Sequence, residues 1–326
     1  MRKHTTRLAM PDKIRMLIDC DAGVDDAEAV AVALSNQHVE VLGITCVNGT
    51  TEVKNVCRNV LRLLKVYDRE QIPVFEGCAT PLLNTKVLTD EIHGKDGFGD
   101  VPDLVDPNMS LLKSEHAVNA IVRIVNEYQG EISMVTLGPL TNVAMAMRMD
   151  PDLPKKLKDL TIMGGNSNAK GNFTVSGEFN FAMDPEAAHI VLNSIESPAT
   201  IVTSDVCEEH PLTQSWFGKR LAIGSEKANF LKAISKKLES FFYKIYGKGP
   251  DCPYLSWDSL AMIARVRSDA VLESERFYAN VELDGKLTRA QMIIDWRGSL
   301  GKQANVNIVK KLDMNIIQET MLNSVM

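Results

Sequence analysis

The sequence is short of cysteine, with six in 326 residues. None of Cys20, Cys46, Cys57, Cys78, Cys207 and Cys252 falls in a C-x-x-C pair. That scatter excludes a zinc ribbon or a disulfide framework and reads as reduced thiols. Long apolar runs are missing too: none reaches the ~18 residues of a membrane span. Positive charge is in deficit, 36 Lys plus Arg against 42 Asp plus Glu for a net charge of −6, whereas a nucleic-acid binder carries a basic stripe. The first eleven residues hold Arg2, Lys3 and Arg7 but only a three-residue apolar patch at 8–10, too short for a secretory signal. A cytoplasmic protein is the expectation, with a mitochondrial presequence the weaker reading. What is present is an ordinary globular balance, 45% apolar and 24% charged, on a chain long enough to bury roughly 75% of its unfolded surface.

At roughly 150 residues per domain the length would allow two domains, but no linker, repeat or low-complexity tract divides the chain. Residues 1–12 are read as a flexible N-terminal extension and 13–326 as one domain. Short β-branched runs alternate with helical patterns. Strands are expected at 16–18, 39–47, 73–75, 132–137, 160–163 and 199–203, and helices at 25–35, 53–67 and 140–150. That alternation predicts an α/β fold, a mostly parallel, doubly wound sheet with helices on both faces. Further strands at 277–283, 291–295 and 304–308, with turns at Asp284-Gly285 and Arg297-Gly298, predict a small antiparallel C-terminal β extension of the same domain. Ligands of such sheets lie beyond the carboxyl ends of the strands. The long loops 77–111 and 164–181 both follow strands, where functional loops are expected.

The most informative segment is Ile18-Asp19-Cys20-Asp21-Ala22-Gly23-Val24-Asp25-Asp26-Ala27, which places four carboxylates in eight residues where a buried strand passes into a helix. Helix capping explains one of Asp25 and Asp26. It does not explain Asp19 and Asp21, because like charges at a desolvated strand end repel unless a cation joins them. Oxygen-only ligands point to a hard ion, Ca²⁺ or Mg²⁺.

This stretch resembles the N-terminal D-x-D-x-G-x-D-D signature of the inosine-uridine preferring nucleoside hydrolases. Further matches follow in order along nearly the whole chain: Val47-Asn48-Gly49, Ile92-His93-Gly94, Leu137-Gly138-Pro139-Leu140-Thr141-Asn142 and Met163-Gly164-Gly165. Gly171-Asn172, Gly177-Glu178-Phe179-Asn180, Asp184-Pro185-Glu186 and Trp257-Asp258 complete the set. The resemblance implies hydrolysis of the N-glycosidic bond of ribonucleosides to ribose and free base, with one bound Ca²⁺. It implies that Asp19, Asp26 and Asp258 hold the ion with the Leu137 carbonyl. Asp19, Asp25 and Asn180 are the expected catalytic groups, Asp19 as proton acceptor and Asp25 as acceptor from the ribose 2′-hydroxyl. Asn48, Asn172, Glu178 and Asn180 match ribose-holding positions, and Met163 would pack beneath the sugar. Taken alone, Asn48 and Asn172 beside glycine read equally as turn residues, and Met163 as core. Asp184-Pro185-Glu186 reads as a helix start.

The chain departs from the family's pattern at the leaving-group end. Trp257 stands where many members have His, and an indole gives no proton at neutral pH. It can instead stack on a base, which favours the larger purines. His93 is expected to line the base pocket. The stretch 241–254, which contains Tyr243, Tyr246 and Tyr254, resembles the mobile region beside that pocket. Purine nucleosides such as inosine are therefore expected as substrates, uridine not excluded, with a homo-oligomeric assembly and no nucleic-acid or membrane partner. One alternative is a haloacid dehalogenase-type phosphatase, but that class needs Thr or Val where this chain has Gly23, four residues after Asp19. The other is a catalytically silent protein of the same fold that binds Ca²⁺ and ribose.

Overall fold

A computed structural model describes residues 13–83, 91–102 and 105–326; the expected extension 1–12 lies outside the described residues, as do parts of the expected loop 77–111. The strands are β1 (Ile14–Cys20), β2 (Val39–Cys46), β3 (Val74–Glu76), β4 (Leu112–Lys113), β5 (Ile132–Thr136), β6 (Asp159–Met163), β7 (Ala199–Val202), β8 (Leu212–Thr213), β9 (Pro253–Tyr254), β10 (Val271–Phe277), β11 (Ala279–Val281), β12 (Met292–Ile294) and β13 (Val306–Leu312). Nine of them form one sheet in the order β10-β13-β7-β6-β5-β1-β2-β3-β4. All its pairings are parallel except that of the edge strand β10 with β13.

Alternating residues of β1 supply two cores, one on each side of the sheet. Met16 and Ile18 join the core under helices Val24–Ser35, Val53–Val66 and Trp257–Val266, whereas Leu17 joins that under Ala117–Glu127, Thr141–Met149 and Pro185–Ser194. The expected α/β, doubly wound, single-domain architecture is thus present. Burial on both faces explains the continuous apolar strands.

The expected C-terminal β extension exists, with one strand reassigned. β11 and β12 form a separate antiparallel hairpin. The run at 304–308 instead begins β13, which pairs in parallel with β7 inside the main sheet. β13 is apolar on its buried positions Val306, Ile308 and Val309, so it satisfies a sheet interior as well as a hairpin. Between β8 and β9 the chain makes a helical excursion, Gln214–Leu221, Glu226–Ile234 and Lys236–Tyr246.

After β1 the chain builds β2, β3 and β4 to one side, then returns through β5, β6 and β7 on the other. The crevice between β1 and β5 is therefore the switch point where doubly wound sheets bind ligands. Asp21 and Leu137 each follow one of these two strands.

Candidate active site

Beyond the carboxyl ends of β1, β5 and β6 lies a cavity of about 220 Å³. Its inner end is acidic. Asp25 and Asp26 occupy the first turn of helix Val24–Ser35, where exposed backbone N–H groups favour carboxylates. Asp258 arrives on the first turn of helix Trp257–Val266, from the other end of the chain. Carboxylate oxygens of all three lie within 4.8 Å of one another, and all three residues are buried. Asp26 accepts from the Gly23 N–H at 2.8 Å and the Asp21 N–H at 3.3 Å and shares a hydrogen bond with Asp258. Burial, and then their acidic neighbours, push Asp26 and Asp258 well above the ordinary carboxylate range. Such a group cannot be fully ionised without a compensating positive charge.

The structure corrects the reading of the first two acids. Asp21, not Asp19, lines the cavity. Asp19 is still inside β1, in register with Thr45 on β2 and Thr136 on β5. Its Oδ1 accepts from the Thr45 hydroxyl and from Asn142 Nδ2, and it has no exposed surface. Asp21 lies beyond the strand, just before a left-handed turn at Ala22 with φ 40°. Its carboxylate is wedged between two backbones: a Cβ on Gly49 or Gly138 would come within 2.1 or 2.8 Å of its oxygens. The Thr50 N–H donates to Asp21 Oδ2 at 2.6 Å. Burial raises Asp21 to about 6 and Asp19 to about 7.

The side of the cavity next to β5 and β6 is polar. Met163, Asn172, Glu178 and Asn180 all line it. Asn180 Nδ2 donates to the Leu137 carbonyl at 2.8 Å, tying its short helix to the loop after β5. Glu178 caps the short helix Phe179–Met183, accepting from the N–H groups of Asn180, Phe181 and Gly165. Burial lifts it to about 7 despite those three donors. The Asn172 side chain accepts from the Phe179 N–H at 2.9 Å. Asn48, expected here, is not on the cavity wall; it is buried on the loop after β2, and Thr50 lines the cavity instead.

The outer end is aromatic. His93 stands where it meets the acidic group, with Nδ1 accepting the Val24 N–H at 3.1 Å and Nε2 lying 3.7 Å from Asp25 Oδ1. In the neutral ring this places the proton on Nε2, toward the carboxylate. Trp257 lines the same end, its ring 6.0 Å from that of Phe242. Helix Lys236–Tyr246 contributes Phe241, Phe242, Ile245 and Tyr246. Of the three tyrosines only Tyr246 lines the cavity, whereas Tyr254 is wholly buried against Glu28. Glu208, which no sequence motif marks, also lines this end. Its carboxylate has no hydrogen-bond partner among the described residues, and its charge adds to burial in raising the Tyr246 phenol.

Carboxyl groups whose folded pKa exceeds the unfolded value bind more protons in the native state, so the stability they contribute is present below about pH 4 and lost as pH rises through about 7. Asp19, Asp21 and Glu178 all shift this way. In the presence of a chelator the melting temperature is expected to fall between about pH 5 and about pH 7.5, and a divalent cation to flatten the fall. A cation-free melting temperature that rises across that interval would contradict this reading of the acidic group.

A family model described as inosine-uridine preferring nucleoside hydrolase matches residues 16–319. An inosine-uridine preferring nucleoside hydrolase of Leishmania major is 33% identical over 94% of this chain and 95% of its own. A pyrimidine-specific ribonucleoside hydrolase, RihA, of Salmonella typhi is 31% identical over 91% of this chain and 94% of its own. Among solved structures, an inosine-guanosine nucleoside hydrolase superposes with a TM-score of 0.88 at 32% identity, covering 96% of this chain and 98% of that one.

Proposed function

Because this chain belongs to the inosine-uridine preferring nucleoside hydrolase family, and is thus a ribonucleoside hydrolase rather than a phosphatase or a silent binder, we propose that it cleaves purine ribonucleosides such as inosine in preference to uridine, with Ca²⁺ as its cation. The observation that carries this reading is the convergence of Asp25, Asp26 and Asp258 at the inner end of a cavity whose outer end is aromatic.

The donor set fits a hard divalent ion. It is all oxygen, buried and rich in negative charge, and Leu137 lines the same cavity. Asp26 and Asp258 would hold the ion with the Leu137 carbonyl, and when bound it would supply Lewis-acid polarisation of water and a grip on the ribose diol. Asp21 takes the role expected of Asp19. Held near neutrality and fixed by the Thr50 N–H, it accepts the proton of the attacking water. Asp25 accepts from the 2′-hydroxyl, its position set by His93. Asn172, Glu178 and Asn180 satisfy the remaining sugar hydroxyls, whose burial without partners would be costly. The negative side chains around the ring also favour the positive charge that develops on the sugar as the bond breaks.

Trp257, Phe242 and Tyr246 clasp the base. Stacking on such rings contributes about 1–3 kcal/mol per base and grows with base area. Glu208 offers an acceptor to a ring N–H, which 6-oxopurines and uracil carry and adenine lacks. A panel of ribonucleosides assayed for base release tests this. Trp257→Ala should lower kcat/KM for inosine about tenfold more than for uridine, and Glu208→Gln should narrow the gap between guanosine and adenosine. Equal losses across the panel would remove the case for purine preference.

A further inference from the structure

The acidic group that the proposed cation needs is assembled from two helices at opposite ends of the chain, and one buried side chain bridges them. Glu28 lies on helix Val24–Ser35, two residues beyond Asp26, and has no exposed surface. Its Oε2 accepts from the Ser256 hydroxyl at 2.9 Å, and Ser256 is the residue that opens helix Trp257–Val266, two before Asp258. Its Oε1 accepts from the Tyr254 hydroxyl at 3.0 Å and lies 3.6 Å from Arg220 Nη1, itself fully buried. Arg220 is fixed in turn by the Met321 carbonyl at 2.9 Å and the Ser324 hydroxyl at 3.2 Å. The Phe217 ring, which stacks on Tyr254 at 3.7 Å, packs against the guanidinium.

A buried ion pair of this kind is a weak source of stability, because apolar residues of similar volume often serve as well or better. What it does supply is direction. The two oxygens of Glu28 each have a fixed donor, and one of those donors belongs to the helix that carries Asp258. We propose that Glu28, held by Arg220, Tyr254 and Ser256, is a positioning residue that sets the separation of Asp26 and Asp258 and thereby the affinity for the divalent ion. This rests on the cation reading above. Glu28 does not line the cavity where sugar and base would sit. It acts only through the two carboxylates.

The test compares calcium affinity, by calorimetric titration, with thermal stability in chelator. Ser256→Ala and Tyr254→Phe each remove one hydroxyl from Glu28, and neither leaves a cavity large enough to threaten folding. Only Ser256 is on the Asp258 helix. Ser256→Ala should weaken Ca²⁺ binding by about tenfold or more, the usual effect of losing a partner behind the ligands. Tyr254→Phe, with a similar loss of melting temperature, should leave it within about twofold. The double variant Glu28→Leu with Arg220→Met should recover the wild-type melting temperature but not its calcium affinity, since it restores packing and not direction. Calcium affinity that tracks melting temperature through all three variants, or that stays at the wild-type value in all three, would overturn the proposal alone. A wild-type protein that binds no Ca²⁺ would overturn the cation reading and this proposal with it.

Discussion

Asp21→Asn is expected to lower kcat for inosine hydrolysis by about 10²–10⁴-fold, the contribution of a well-placed general base. Asn keeps the shape and still accepts the Thr50 N–H through its carbonyl oxygen, but it cannot take a proton. The site is built tightly around this one group: Gly49 and Gly138 leave no room for a side chain beside it, and without a cation burial raises it to about 6. Because the substitution also removes one of several repelling charges, the variant should melt no lower than wild type in chelator. Asp19→Asn is the control. Its Oδ1 is engaged by Thr45 and Asn142 and it does not reach the cavity, so its loss in kcat should be at least about ten times smaller. The reverse ranking, Asp19 severe and Asp21 mild, would restore the assignment that the sequence pattern first suggests.

That pair marks where sequence reading stops. Four acids at a strand-to-helix junction announce a charged site, because caps account for only some of them, but the pattern does not say where the strand ends. β1 runs to Cys20, so Asp19 is still held by its neighbours in the sheet while Asp21 is free of them. The alternation of strands and helices was legible because each buried strand is a short apolar run. β13 was harder, since its alternating pattern fits a hairpin as well as an interior strand beside β7. Helix Val24–Ser35 is buried at every position from Val24 to Leu34, so its period hid Glu28, whose partners Arg220 and Tyr254 are almost 200 residues or more away in sequence. The ordered motifs did locate Asp258, His93, Asn172, Glu178 and Asn180, all of which meet in one cavity. The resemblance also pointed to the stretch 241–254, of which Phe241, Phe242, Ile245 and Tyr246 line the cavity, but not to which of its tyrosines does so, and no motif marks Glu208, on the short helix Ser204–Glu209.

The second large effect concerns the cation. Asp26→Asn keeps the side chain's size, yet it removes one negative charge from a group of three whose oxygens lie within 4.8 Å. Calcium affinity follows the number of charged ligands, so the dissociation constant should rise on the order of a hundredfold or more. Activity at limiting Ca²⁺ should fall in step and recover partly as the ion is raised. The wild-type enzyme provides the most direct measurement: base release from inosine before chelation, in excess chelator, and after Ca²⁺ is returned. The expected result is a rate that drops on the order of a hundredfold in chelator and returns with Ca²⁺. Hydrolysis that proceeds at its full rate in excess chelator would contradict the claim that these distant carboxylates act by sharing one ion.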